Sequence, residues 1–255
     1  MPLGLADMRA NVPTYKGLLL RGVGAGAVSG LLAGLVGVLV VGPPIRAALA
    51  VEQARPVEPG GHGHGELFSR GTQVVGGVLA AVLVGVAVGA LFATAYAGSR
   101  RWFASQAPFV RAVTLSAAVF GAAALLPAVK YPANPPAVGD PNTVEYRTVL
   151  YLGLIAAGLL VAFGASYLAS RLGHLNRPVR GTAVALAVVV AVVVLLVAFP
   201  ATPDAVPADV PGEVLWDFRL ASLAETATLW LGLGVVFGLL VDPAARRARA
   251  VSPAA

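Results

Sequence analysis

Six long apolar runs, at about residues 18–41, 72–97, 112–129, 149–169, 182–199 and 220–241, constrain this chain more than any other feature. Each approaches or exceeds the roughly 20 residues a helix needs to cross a bilayer core. With 58% hydrophobic and 12% charged residues and a mean hydropathy of +0.82, an ordinary aqueous surface cannot be built. The expected fold is an all-α integral membrane protein with six transmembrane helices, arranged as three outward-facing hairpins. Residues 1–17 form an N-terminal tail, 18–241 the membrane domain, and 242–255 a basic C-terminal tail.

Charge placement sets the expected orientation. Arg9, Lys16, Arg21, Arg100, Arg101, Arg111, Arg171, Arg177, Arg180, Arg246, Arg247 and Arg249 all lie in the tails, the even-numbered loops or the adjoining helix ends. The opposite face carries Arg46, Arg55, Arg70, Lys130, Arg147 and Arg219. It also carries nine acids: Glu52, Glu58, Glu66, Asp140, Glu145, Asp204, Asp209, Glu213 and Asp217. Positive residues flanking spans favour the cytoplasm, so both termini are expected there, in a multi-pass protein of the cytoplasmic membrane. The formal charge of +6 is then a topology signal and does not point to nucleic acid. The first run is too long for the apolar region of a cleaved signal peptide and reads as a retained helix.

Chemistry is bounded by what is missing. There is no cysteine, so thiolate catalysis and sulfur metal cages are excluded. No Walker A sequence or dinucleotide-binding glycine pattern is present. No Ser/His/Asp arrangement, metalloprotease helix or paired glycosidase carboxylates can be placed, and an enzyme is not expected. Gly22, Gly26, Gly30 and Gly34 recur every fourth residue instead, forming a ridge against which another backbone can pack closely. Gly85 with Gly89 and Gly234 with Gly238 repeat the spacing.

Each expected hairpin leaves its first helix at prolines (Pro43-Pro44; Pro132 with Pro135-Pro136; Pro200 with Pro203) and starts its second beside Arg70, Arg147 or Arg219. Glu145-Tyr146-Arg147 and Asp217-Phe218-Arg219 share an acid, an aromatic and an arginine. A threefold repeat would ring a central path with these charges at its outer mouth. A set of ordinary turns with interfacial anchors accounts for the same residues.

The loop Pro56 to Glu66 sets His62 and His64 one residue apart among glycines, with Glu66 two residues on. Imidazole and carboxylate suit divalent cobalt, nickel, copper or zinc, so His62, His64 and Glu66 are the metal-ligand candidates; the same loop also reads as solvated linker. His174, between Arg171 and Arg177, reads as a plain surface residue. Glu225 is the one acid inside an apolar run, some six residues or about 9 Å below the start of the sixth. An acid at that depth is costly and usually faces a cavity or partner. The proline-rich segment Lys130 to Pro141 cannot be regular helix or central strand, and reads either as a fixed lip holding Asn134 and Asp140 at the outer mouth or as a stiff connector. Asn134, Asp140 and Glu225 are the transport-path candidates.

At the Lys130–Pro141 segment, the His62-Gly63-His64 loop and the Leu215-Trp216-Asp217-Phe218-Arg219-Leu220-Ala221-Ser222 stretch, the chain resembles the predicted cobalt transporter subunit CbtA family, from about Leu18 to Leu240. The resemblance implies cobalt uptake linked to cobalamin biosynthesis, with a small histidine-bearing membrane subunit (CbtB-type) as partner. It transfers no residue roles. The expected function is a permease or permease subunit for a divalent metal ion, Co2+ first and Ni2+ possible, in the lipid bilayer, with no tightly bound cofactor. The rival reading is a non-catalytic membrane scaffold subunit that binds a partner transporter protein.

Overall fold

The computed structural model describes residues 14–55, 69–99, 106–136, 138–202 and 206–242. Among these the chain forms six helices long and apolar enough to cross a membrane: α1 (Tyr15–Gln53), α2 (Arg70–Ser99), α3 (Pro108–Lys130), α4 (Val144–Arg171), α5 (Arg177–Ala198) and α6 (Gly212–Val241). Local chemistry marks their starts. The Thr14 hydroxyl accepts from the Gly17 N–H at 3.2 Å to cap α1, and Asn176 Oδ1 accepts from the Val179 N–H at 3.0 Å to cap α5. Proline occupies the first turn of α3 and of α5, where its missing N–H costs nothing.

The helices form an open row, α2–α1–α6–α3–α4–α5, in which each packs chiefly on its neighbours. The α1–α2 seam is the closest. A methyl group on Gly22, Gly26 or Gly30 would collide with the backbone of Gly89, Gly85 or Ala81, so α1 and α2 touch main chain to main chain along the expected glycine ridge. Leu18 and Ala25 of α1, Phe92, Ala93 and Tyr96 of α2, Ala112 of α3, and Leu233 and Phe237 of α6 make the main core. There the Phe237 ring meets Phe92 and Tyr96 edge-on, with centroids 5.3 and 4.9 Å apart. A smaller core joins Leu126 and Tyr131 to Leu154 and to Val192, Leu195 and Phe199.

The outer surface is apolar: Leu39, Leu91, Leu160 and Val197 are 70–80% exposed, and no residue of α5 is buried. Aliphatic side chains so displayed on every helix belong in lipid, and the protein is a multi-pass membrane protein.

Two expectations need correction. Pro43-Pro44 do not end the first helix. The N–H of Gly42 bonds the carbonyl of Gly37, five residues back, opening one wide π-turn over Gly37–Val41, after which the helix resumes to Gln53. The wide turn gives the proline rings clearance from the preceding carbonyls. Helix α3 repeats the device: Leu126 N–H bonds Gly121 O ahead of Pro127, so both helices place a proline six residues after the glycine that opens the π-turn. The third hairpin is also not packed as one. Helix α6 lies between α1 and α3, while α5 rests on α4. The paired glycines Gly234 and Gly238 therefore face Ser116, Ala112 and Phe109 of α3, not α5.

Candidate functional site

Helix α6 touches the π-turns of both α1 and α3. Along the α3 side this level falls between two fixed points. The Ser116 hydroxyl donates to the Trp230 carbonyl at 3.0 Å, and the Arg219 guanidinium reaches Asn134 at 3.1 Å. On the α1 side the residue at this level is Glu225. A methyl on Gly37 would sit 2.9 Å from Glu225 Oε1, so the absence of a side chain where the π-turn opens is what admits the carboxylate.

Because α6 starts at Gly212, eight residues before the apolar run, Glu225 stands about 20 Å along a helix of 30 residues, close to its middle. It is partly buried and forms no hydrogen bond or ion pair with a described residue. The carboxylate faces a cavity of about 300 Å3 shared by the π-turn of α1, the first two turns of α2, and α6. Its other polar lining groups are Arg46, four residues past Gly42 on α1, and Gln73 on α2. A carboxylate, a guanidinium and a carboxamide thus meet in one hollow within an apolar bundle. That can bind and release a cation or a proton, and among the described residues it holds no nucleophile poised beside a base.

The far end of the bundle, opposite the start of α1, is organised around the Lys130–Pro141 segment, whose described residues between Tyr131 and Asp140 are irregular as expected. Lys130 Nζ donates to the Leu196 carbonyl at 2.8 Å, and the Tyr131 hydroxyl to the Pro200 carbonyl at 2.7 Å, tying α3 to the end of α5. Arg219 donates to the Ala133 carbonyl at 3.3 Å and to Asn134 Oδ1. Asp140 accepts from the Asn142 N–H and side chain at 2.8 and 2.9 Å, and its carbonyl from Arg147 at 3.2 Å. Asn134 and Asp140 are therefore engaged in holding the lip in shape. Glu145 and Asp217 are exposed.

Arg219 and Glu225 are six residues apart, so at 100° per residue they leave α6 about 120° apart, one toward α3 and the other toward α1. The structure does not bring Asn134 and Glu225 to one site. His62, His64 and Glu66 lie outside the described residues, as does the side chain of Arg70. No group of three or more His, Cys, Asp or Glu side chains gathers among the described residues.

Sequence reasoning missed four participants. Arg46 and Gln73 line the Glu225 cavity, though Arg46 had been read as an outer-face charge and Gln73 not singled out. Arg55 Nε donates to Asp209 Oδ2 at 2.7 Å and Nη2 to Oδ1 at 3.2 Å, a bidentate clasp between the end of α1 and the α5–α6 loop. That hydrogen bond lowers the Asp209 carboxyl and raises the Arg55 guanidinium. Arg111, 7% exposed, stacks 4.2 Å over the Tyr96 ring and donates to its hydroxyl, a buried use of a cation read as a topology marker. The helical spacing of Gly34, Val38, Val41, Ile45 and Arg46 could have found the cavity wall, had α1 been carried past its prolines.

Comparison with curated proteins and with solved structures finds no match in either. Residues 15–242 match the family described as "Probable cobalt transporter subunit (CbtA)", and the chain belongs to that family.

Proposed function

We propose that the chain is a permease, or a permease subunit, that carries a divalent transition-metal cation inward, cobalt first and nickel next. Both termini and the start of α1 lie on the cytoplasmic side, and the Lys130–Pro141 lip faces out. The acidic outer face concentrates the ion, the His62–His64–Glu66 loop captures it, and Glu225 supplies a negative charge within the membrane. Membership of a cobalt transporter family supports the substrate. The observation that carries the transport reading is the Glu225 cavity. An unpaired acid about 9 Å inside the apolar run is costly, by up to roughly 2.5–3.5 kcal/mol at the bilayer centre, and such acids usually face a cavity or a partner.

Asp140 and Asn134 act through the lip, whose shape they hold. The membrane potential can supply the energy. A doubly charged ion gains about 4.6 kcal/mol per 100 mV moving inward, roughly a thousandfold accumulation without ATP. Uptake of radiolabelled cobalt by cells carrying His62→Ala/His64→Ala tests capture. The double variant should lose uptake at limiting cobalt, and unchanged uptake there removes the loop from the mechanism.

One observation favours the scaffold reading: α5 has no buried residue, rests on α4, and with α2, α3 and α4 borders an apolar groove of about 750 Å3. Purified chain in liposomes separates the two. Cobalt flux by the chain alone supports a permease, and flux only after a partner subunit is added supports a scaffold.

A further inference from the structure

The break in α1 does more than make room for Glu225. In a regular helix the carbonyls of Val38, Leu39 and Val40 would accept from the N–H groups of residues 42, 43 and 44. The Gly42 N–H is spent on Gly37 O, and residues 43 and 44 are prolines with no N–H. Three consecutive main-chain carbonyls thus lose their helical donors inside a membrane, where a carbonyl without a partner is expensive. Val38 is on the cavity face of α1, together with Gly34, Gly37, Val41 and Gly42, and Glu225 is across from it. The Glu225 carboxylate and the break in the main chain therefore stand at one level of the bundle.

We propose that this hollow is a binding site for a monovalent alkali cation, sodium, held by the Glu225 carboxylate and the Val38 carbonyl.

The chemistry selects the ion. Among the described residues the lining offers neither imidazole nor thiolate, the groups that favour a transition metal, and oxygen-only donors suit a hard cation. Charge selects the valence. Arg46 lines the same hollow, with Nη1 3.3 Å from where a Gly42 methyl would stand. The single carboxylate neutralises a monovalent ion in full, whereas a divalent ion keeps one uncompensated charge in a medium of low dielectric and is not retained, which suits passage rather than residence. Carbonyls freed where a membrane helix is interrupted are a recurring means of holding sodium near the midplane. Binding at this place does not depend on the permease reading.

The test is the thermal unfolding midpoint of the full chain in detergent micelles, in sodium chloride against N-methylglucamine chloride at equal ionic strength. Wild type should gain about 3 °C or more, saturating with sodium concentration. Glu225→Gln should lose that gain. Gly37→Ala, whose methyl displaces the carboxylate, should lose most of it, and Glu213→Gln, at the exposed start of α6, should keep it. Pro43→Ala restores an N–H five residues past Val38, the π spacing by which Gly42 already bonds Gly37, and should also lose the gain, whatever its own midpoint.

A wild-type midpoint indifferent to sodium overturns the site, as does a full gain in Glu225→Gln. A Glu225-dependent gain from cobaltous chloride with none from sodium overturns the choice of ion. Cobalt transport that needs Glu225 in a chain indifferent to sodium refutes this site and leaves the permease reading standing.

Discussion

A single methyl group placed on either side of α1 separates packing from propensity. In Gly26→Ala the new carbon would strike the Gly85 carbonyl oxygen and lie 2.8 Å from the Gly85 carbonyl carbon and 3.0 Å from the Gly89 Cα, all main-chain atoms. Ordinary contact begins near 3.4 Å, so α1 and α2 must part, and no side chain can rotate to spare them. The seam from Gly22 to Gly34 covers about 18 Å of α1, and a rigid helix cannot part at one residue alone. Overpacking of this kind costs about 1–3 kcal/mol, a shift of roughly 5- to 150-fold in the folding equilibrium. Gly24→Ala, two residues away, meets nothing within 4 Å and should change stability by about 0.5 kcal/mol or less. Titration with sodium dodecyl sulfate in mixed micelles, followed by near-ultraviolet circular dichroism, measures both. Equal midpoints for Gly26→Ala and Gly24→Ala would refute the close backbone seam.

Three further outcomes follow from the far end of the bundle. Gly139 has φ +113°, and an added methyl would sit 2.5 Å from Arg147 Nη1, so Gly139→Ala should destabilise by about 1–3 kcal/mol, read in the same titration. Arg219→Ala removes the donors to Ala133 and Asn134, and hydrogen exchange across 131–140 should accelerate at least threefold, with Arg219→Lys intermediate because its ammonium is a single point of contact. The clasp on Asp209 lowers its carboxyl from the ordinary 3.8, so its contribution is present at neutral pH and lost as pH falls through the lowered value. A carbon-13 titration of Asp209 should show its midpoint below 3.8, returning upward in Arg55→Gln; no movement in Arg55→Gln would break the assignment.

Spans and the glycine ridge were legible because both depend on local periodicity. Six apolar runs of bilayer length became six helices, and Gly22, Gly26, Gly30 and Gly34 met the backbone of α2 as every-fourth spacing requires. What was not legible depended on hydrogen bonding and on partners distant in sequence. Pro43-Pro44 read as a helix end, since a lone rule about missing N–H groups does not reveal that Gly37 lets the turn widen and the helix continue. That misreading hid Arg46 from the cavity it lines. Glu225 stood out by its cost in an apolar run, but its neighbour came from α1, a helix almost two hundred residues earlier. The third hairpin failed for a similar reason. A short connection makes α5 and α6 neighbours in sequence, whereas the small faces at Gly234 and Gly238 find Ser116 and Phe109 on α3.

Initial rates of radiolabelled cobalt entry into liposomes bearing the purified chain and an inside-negative potential, for wild type and Glu225→Gln, probe the path itself. If the hollow beside the α1 π-turn lies on the route, the amide variant should lose at least tenfold in rate while unfolding at a similar midpoint. Equal rates for the two proteins across limiting cobalt concentrations would show that the metal crosses elsewhere, and would contradict the account.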